Sequence, residues 1–231
     1  MEVIILAGGF GTRLQSVVKS VPKPMADVNS KPFLEYIMEY LSSYNITKII
    51  LSVGYKKEII QAYFGNKYKK IPIVYSCENE PLGTGGAIKQ ALTYLSSTLE
   101  DAVVLNGDTF FDINLYELAQ SHLQSQSLLT LSLKEMKNFD RYGRVRIQDN
   151  KVISFEEKKF HTQAYINAGV YMLNKNLFDK LQAQAKFSFE EFLNSNVENM
   201  KINSFLVNEA YFIDIGIPQD YEKVKLDFAL K

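Results

Sequence analysis

Near the start of the chain, Gly8-Gly9-Phe10-Gly11-Thr12-Arg13-Leu14 follows the apolar run Val3-Ile4-Ile5-Leu6-Ala7, and Val21-Pro22-Lys23-Pro24 comes shortly after. Glycines let backbone N–H groups surround phosphate oxygens, and a cation just beyond such a loop neutralises charge that the amides only polarise. Arg13 and Lys23 are the cations placed to do so, and the segment reads as a site for a phosphate chain. A P-loop would need Gly-Lys followed by Ser or Thr after a four-residue gap, and the sequence has none. A dinucleotide fingerprint could use Gly9 and Gly11, but Leu14 stands at the third glycine position and the next strand ends at Ser52-Val53-Gly54 without an acid. A turn required only for chain reversal accounts for two glycines better than for three with Thr12-Arg13 and Pro22-Lys23-Pro24. Further on, Asp108 ends an apolar strand, where an isolated carboxylate is costly unless it is paired or holds a metal. Asp214 ends another, and either aspartate taken singly also suits a helix or turn cap.

Leu6 to Leu14 with Pro22-Lys23-Pro24 resembles the activation motif of the sugar-1-phosphate nucleotidylyltransferases, the NDP-sugar pyrophosphorylases. The resemblance runs over almost the whole chain, through Pro81-Leu82-Gly83-Thr84-Gly85-Gly86-Ala87, Asn106-Gly107-Asp108, Tyr142-Gly143, Glu156-Glu157-Lys158, Asn167-Ala168-Gly169 and Asp214-Ile215-Gly216. It implies direct transfer of a nucleotidyl group from a nucleoside triphosphate to a sugar 1-phosphate, with release of pyrophosphate and no covalent enzyme intermediate. By the same resemblance Leu6, Ala7, Gly8, Gly9, Gly11, Thr12, Arg13 and Lys23 hold the nucleotide, together with Glu80, Pro81, Gly85, Asn106, Gly107 and Asp108. Gly143, Glu157, Lys158 and Asn167 are expected on the sugar phosphate, and Asp108 and Asp214 on one Mg2+. Arg13, Lys23, Asp108, Lys158 and Asp214 would carry the catalysis. The family form usually places proline after Glu-Lys; here Lys159 follows, so the loop departs from the family form at that position.

The segment from Pro81 to Gly86 is expected before a helix, where glycine lets backbone amides approach a flat base. Its other reading is a loop capped by Thr84. Glu80 could accept from the N1 and N2 donors of guanine, with an ordinary surface glutamate as the alternative. Within the family, the short chain with Glu80-Pro81-Leu82-Gly83-Thr84-Gly85-Gly86 is most similar to guanylyltransferases of D-glycero-D-manno-heptose 1-phosphate, which makes GTP the expected donor. Mannose-1-phosphate enzymes come next, followed by thymidylyl, cytidylyl or uridylyl transfer to a hexose 1-phosphate. A noncatalytic NDP-sugar-binding subunit is the reading from another class, and it would have little use for cations around a leaving group.

Alternating strands and helices in the first half predict βαβ units and an α/β, Rossmann-like, doubly wound sheet, mixed but mainly parallel, in one domain of the nucleotidyltransferase fold. Strands are expected at Val3–Leu6, Lys48–Val53, Ile71–Tyr75 and Ala102–Leu105. Helices are expected from Pro32, with Phe33, Leu34, Ile37, Met38 and Leu41 on one face, over Lys57–Tyr63, and over Ala87–Leu95. Ligands bind beyond the carboxyl ends of such strands, so the motifs should converge there. In the second half, strands at Leu128–Leu133, Arg144–Ile147, Val152–Phe155 and Ile166–Leu173, with a turn at Asp149-Asn150, suggest a mixed sheet edge or a substrate-covering subregion. Helices near Leu177 and Phe189, strand Phe212–Asp214 and a helix over Gln219–Leu230 complete the pattern. Residues 1–112 are assigned to the nucleotide and 113–231 to the sugar phosphate. Arg141 and Lys159 read as surface residues.

Lys plus Arg and Asp plus Glu both number 26, so no overall field favours nucleic acid or an anionic membrane, and any phosphate affinity must be local. The basic cluster Lys67-Tyr68-Lys69-Lys70 reads as a solvated connection. The lone Cys77 cannot form an internal disulfide and is expected to pack as a small apolar residue near a strand end. No run approaches the roughly twenty apolar residues of a membrane span, and a cytoplasmic protein is expected. The resemblance leaves room for a homodimer.

Overall fold

The computed structural model describes residues 1–9, 11, 14, 18 and 20–229. In chain order these form β1 (Glu2–Leu6), a 3-10 turn (Lys23–Met25), β2 (Asp27–Val28), β3 (Lys31–Pro32), α1 (Phe33–Leu41), β4 (Lys48–Val53), α2 (Lys57–Phe64), β5 (Lys67–Tyr68), β6 (Ile71–Cys77), α3 (Gly83–Leu92), β7 (Asp101–Asn106) and β8 (Thr109–Phe111). The second half holds α4 (Leu115–Ser125), β9 (Leu129–Phe139), β10 (Arg144–Gln148), β11 (Lys151–Phe155), β12 (His161–Asn174), α5 (Leu177–Lys180), α6 (Phe189–Asn196), β13 (Ile202–Val207), β14 (Phe212–Asp214) and α7 (Pro218–Ala229).

A single mixed sheet of ten strands, ordered β10-β11-β13-β9-β12-β7-β1-β4-β6-β5, organises the domain. The run β7-β1-β4-β6 is parallel throughout, as βαβ crossovers require. Beyond β7 the pairing with β12 and then β9 is antiparallel, and β13 rejoins β9 in parallel. Alternate residues of β1 face opposite layers. Val3 and Ile5 pack with α1, α2, α4 and α7, while Ile4 packs with α3, α5 and α6. All five expected apolar positions of α1 are buried.

Several differences from the sequence reading have local causes. Helix α3 begins at Gly83 rather than Ala87, so the glycines form its first turn instead of a preceding loop. The N-cap position is Leu82, whose side chain makes no capping bond, and the Thr84 hydroxyl accepts from the Phe189 backbone N–H at 2.9 Å. Helix α4 went unread, although Asn114 caps it by accepting from the N–H groups of Tyr116 and Glu117. Strands β8 and β13 were also unread, the first being too short to show a period and the second opening on Ile202-Asn203-Ser204. The Asp149-Asn150 turn is present with both residues left-handed, at φ 48° and 57°, which suits a two-residue hairpin. Tyr68 joins Lys67 in a two-residue strand with a turn at Lys69, and Cys77 ends β6 half-buried.

Candidate active site

The parallel register sets Leu6 beside both Ser52 and Asn106 at the carboxyl ends of β1, β4 and β7. A cavity of about 670 Å³ opens there. Its lining includes Leu6, Gly8, Gly9, Gly11 and Lys23 from the first motif, Glu80 and Pro81 from the second, and Asn106, Asp108 and Asp214. Ala7 and Gly107 are buried behind that lining, where the Gly107 N–H donates to the Leu6 carbonyl at 2.8 Å. Thr12 and Arg13 lie outside the described residues.

Two short strands bring the distant aspartates together. β8 and β14 pair antiparallel with Thr109 opposite Asp214, and the Ile215 N–H donates to the Asp108 carbonyl at 3.0 Å. Lys23 Nζ donates to Asp108 Oδ2 at 2.6 Å and to Asp214 Oδ1 at 3.3 Å. The Lys23 side chain is only 12% exposed. Burial works to lower the Lys23 pKa, but attraction to Asp108 and Asp214 outweighs it and the ammonium is held raised. Asp214 is raised instead, first by burial and then by the charge of Asp108, because one ammonium does not offset two carboxylates. The donor set suits a hard divalent cation, because two carboxylates already converge on one positive charge, although no group of three acidic, histidine or cysteine side chains among the described residues could hold a metal by itself. Such an ion would complete its shell with phosphate and water oxygens, which is the usual environment of magnesium.

Glu78, just after β6, is a site residue that the sequence reading missed. It lines the cavity half-buried, while Glu80 is exposed. Oε2 accepts from the Leu82 N–H at 3.0 Å, and Oε1 lies so close to Gly8 that a Cβ there would overlap it. Burial raises the Glu78 pKa, partly offset by the Leu82 N–H. Its position at the carboxyl end of a parallel strand was the available signal.

The glycines of α3 have close protein neighbours on the side away from the cavity lining. A Cβ on Gly83 would lie 2.5 Å from the Phe187 carbonyl oxygen, one on Gly85 would overlap the Phe187 ring, and one on Gly86 would overlap the Ala185 carbonyl. The N–H groups of Gly85 and Gly86 donate to Phe187 O at 3.0 and 3.3 Å, and the Phe187 N–H returns a bond to Leu82 O. The small residues thus admit the 185–187 segment against the helix. Gly85 is buried there, and Gly83, Thr84 and Ala87 face the cavity.

The residues expected on the sugar phosphate do not line this cavity. Glu157 and Lys158 are exposed after β11. Gly143 lies against the Glu156 carbonyl, 2.6 Å from where its Cβ would be, and Glu156 pairs with Lys159 at 3.1 Å. Asn167 Oδ1 accepts from the Gly169 N–H at 3.2 Å. Arg141 is not a free surface residue: it pairs with Asp220 and lies 5.4 Å over the Tyr142 ring.

With this geometry in view, residues 2–230 match the Nucleotidyl transferase family, and the chain belongs to it: the protein is a nucleotidyltransferase. It is 50% identical over 226 residues to D-glycero-alpha-D-manno-heptose 1-phosphate guanylyltransferase of Aneurinibacillus thermoaerophilus, covering 97% of each chain. The enzyme of the same description from Campylobacter jejuni is 51% identical, over 96% of this chain and 97% of its own. The crystal structure of HddC from Yersinia pseudotuberculosis complexed with GMP-PN superposes with a TM-score of 0.85 at 40% identity, covering 98% of this chain and 99% of the other. No helix among the described residues is long and apolar enough to cross a membrane.

Proposed function

We propose that this protein transfers the guanylyl group of GTP to D-glycero-α-D-manno-heptose 1-phosphate, giving the GDP-heptose and pyrophosphate in the cytoplasm. The observation that carries the reading is a single cavity lined both by Glu78 and by the Lys23–Asp108–Asp214 cluster, which offers one place for a base and another for phosphates. The 50% and 51% identity to heptose 1-phosphate guanylyltransferases over nearly full length supports the choice of sugar. Residues 1–112 supply most of the nucleotide site and 113–231 the sugar-phosphate site, with Asp214 crossing to the first.

In this reading a sugar 1-phosphate oxygen attacks the α-phosphorus of GTP in line. The bond from that phosphorus to the bridging oxygen breaks, and pyrophosphate leaves with the electron pair. The nucleophile is already anionic near neutral pH, so the site needs cations and positioning rather than a strong base. Backbone amides of Gly8, Gly9, Gly11 and Thr12, with the Arg13 and Lys23 side chains, hold the triphosphate and stabilise the leaving group. Asp108 and Asp214 would hold Mg2+, which supplies a divalent charge that offsets the repulsion between the two anions. Glu78, rather than Glu80, accepts from the adjacent N1 and N2 donors of guanine; a base without that pair leaves a half-buried carboxylate short of partners. Lys158, Glu157, Asn167 and Gly143 take the sugar phosphate, which requires the exposed turn at 156–160 to close toward the cavity.

Pyrophosphate release measured over GTP, ATP, UTP, CTP and dTTP against heptose, mannose and glucose 1-phosphates tests the proposal. GTP with the heptose substrate should be fastest, and mass spectrometry should show GDP-heptose. Faster turnover of another pair would overturn the substrate assignment; release with none would leave an NDP-sugar binder.

A further inference from the structure

The part-buried ion cluster bears on the order in which ligands enter. Lys23 Nζ lies between the two carboxylates, 2.6 Å from one and 3.3 Å from the other. A magnesium ion held by either oxygen would sit about 2.0–2.1 Å from it. The ammonium and the metal therefore compete for one volume. They also differ in charge: a single ammonium against Asp108 and Asp214 leaves one net negative charge, whereas a divalent ion would cancel it.

A second observation connects this lysine to the phosphate loop. Gly11 sits at φ +60°, and a Cβ there would lie 2.7 Å from Lys23 Cβ and 3.5 and 3.6 Å from its Cγ and Cδ. Gly11 thus rests directly on the aliphatic stem of the lysine. A triphosphate in the cavity that Gly11 and Lys23 both line would offer the ammonium new anionic partners.

We propose that Lys23 is an internal counter-ion that closes the metal site of the free protein, and that triphosphate binding opens it by drawing the ammonium from Asp108 and Asp214. Divalent metal then binds tightly only together with nucleotide, and the two carboxylates stay paired and in place between turnovers. The proposal rests on the assignment of Asp108 and Asp214 to a metal, but it concerns the nucleotide-free protein, and its test does not depend on which sugar or base the enzyme uses.

Mn2+ serves as the probe, with free ion followed by electron paramagnetic resonance in the absence of nucleotide. The parent protein should bind Mn2+ weakly, and Lys23→Met should bind one Mn2+ at least about tenfold more tightly, because the occluding state has been removed. Lys23→Gln, which keeps a polar side chain beside the carboxylates, should show the same direction, and adding Asp214→Asn should abolish the gain. A non-hydrolysable GTP analogue should tighten Mn2+ binding to the parent. Equal Mn2+ affinity in the parent and both lysine variants, no binding by either variant, or a gain that survives Asp214→Asn would each overturn the proposal. If the pyrophosphate panel failed while the lysine variants still gained Mn2+ affinity, the counter-ion role would stand without the guanylyltransferase reading.

Discussion

The acidic groups at the two ends of the parallel sheet are perturbed in opposite directions. At the amino ends, Glu2 on β1 accepts from the Ser96 N–H at 3.0 Å and from its hydroxyl, and pairs with Lys48 at 3.0 Å; together these outweigh burial and lower its pKa. Asp101, the first residue of β7, lies 3.4 Å from His122 Nε2 and accepts from Asn174 Nδ2 at 2.9 Å, and it too is lowered, chiefly by His122. His122 in turn lies 2.9 Å from the Thr130 hydroxyl. At the carboxyl ends, Glu78 and Asp214 are raised, in both cases first by burial. One rim of the sheet has its charges satisfied by the protein, while the other holds carboxylates that Lys23 and the Leu82 N–H satisfy only in part. Perturbation by desolvation in a cleft marks a functional site better than perturbation by a complete set of partners.

The sharpest test of that contrast is to neutralise one residue at each end. Asp108→Asn should lower turnover by about a hundredfold or more, on the scale of a lost preorganised electrostatic contact, while the fold persists. A variant with parental turnover would erase the distinction. Asp101→Ala should do the reverse: it strands the buried His122 ring and the Asn174 amide, so urea denaturation at pH 7 should show a loss of about 2–3 kcal/mol with turnover unchanged at 25 °C. Glu2→Gln and Glu78→Gln should give the smallest effects, with opposite signs. A lowered carboxyl stabilises the fold above the ordinary carboxylate range and loses that contribution as pH falls through its own pKa. Glu2→Gln should therefore be less stable than the parent near pH 7, with the gap closing in acid. A raised carboxyl contributes in acid and loses it as pH rises toward its own pKa, so Glu78→Gln should be the more stable protein near pH 7 and converge on the parent at low pH. Thermal unfolding across pH 3–8 reads both, and matching signs would break the comparison.

How much of this was legible in the sequence follows from which signals are local. Apolar periodicity placed β1, α1, β4 and β7 because each buries one or two continuous faces. Lys23, Asp108 and Asp214 were legible as chemistry because they stand at strand ends or between prolines. Their meeting was expected only from the family resemblance, since it depends on β8 pairing with β14 about a hundred residues away. Glu80 stands out in the sequence through its adjacency to Pro81, whereas Glu78, directly after β6, is the half-buried one of two carboxylates that both line the cavity. The glycines of α3 were read toward a ligand when their tightest neighbours belong to the segment at Ala185 and Phe187. Glycine reports that something is close without saying what.

The contact between α3 and Phe187 also sets a timetable for synthesis. The N–H groups of Gly85 and Gly86 find their shared acceptor on a residue made roughly a hundred positions later, a wait of about 5–20 s on a ribosome. Until then a nascent chain has the phosphate loop but not the completed helix start that lines the cavity beside it, and Asp214 is later still. Truncated products that end before Phe187 would thus carry the family's most recognisable motif without a finished nucleotide site, and would leave the cell's GTP untouched.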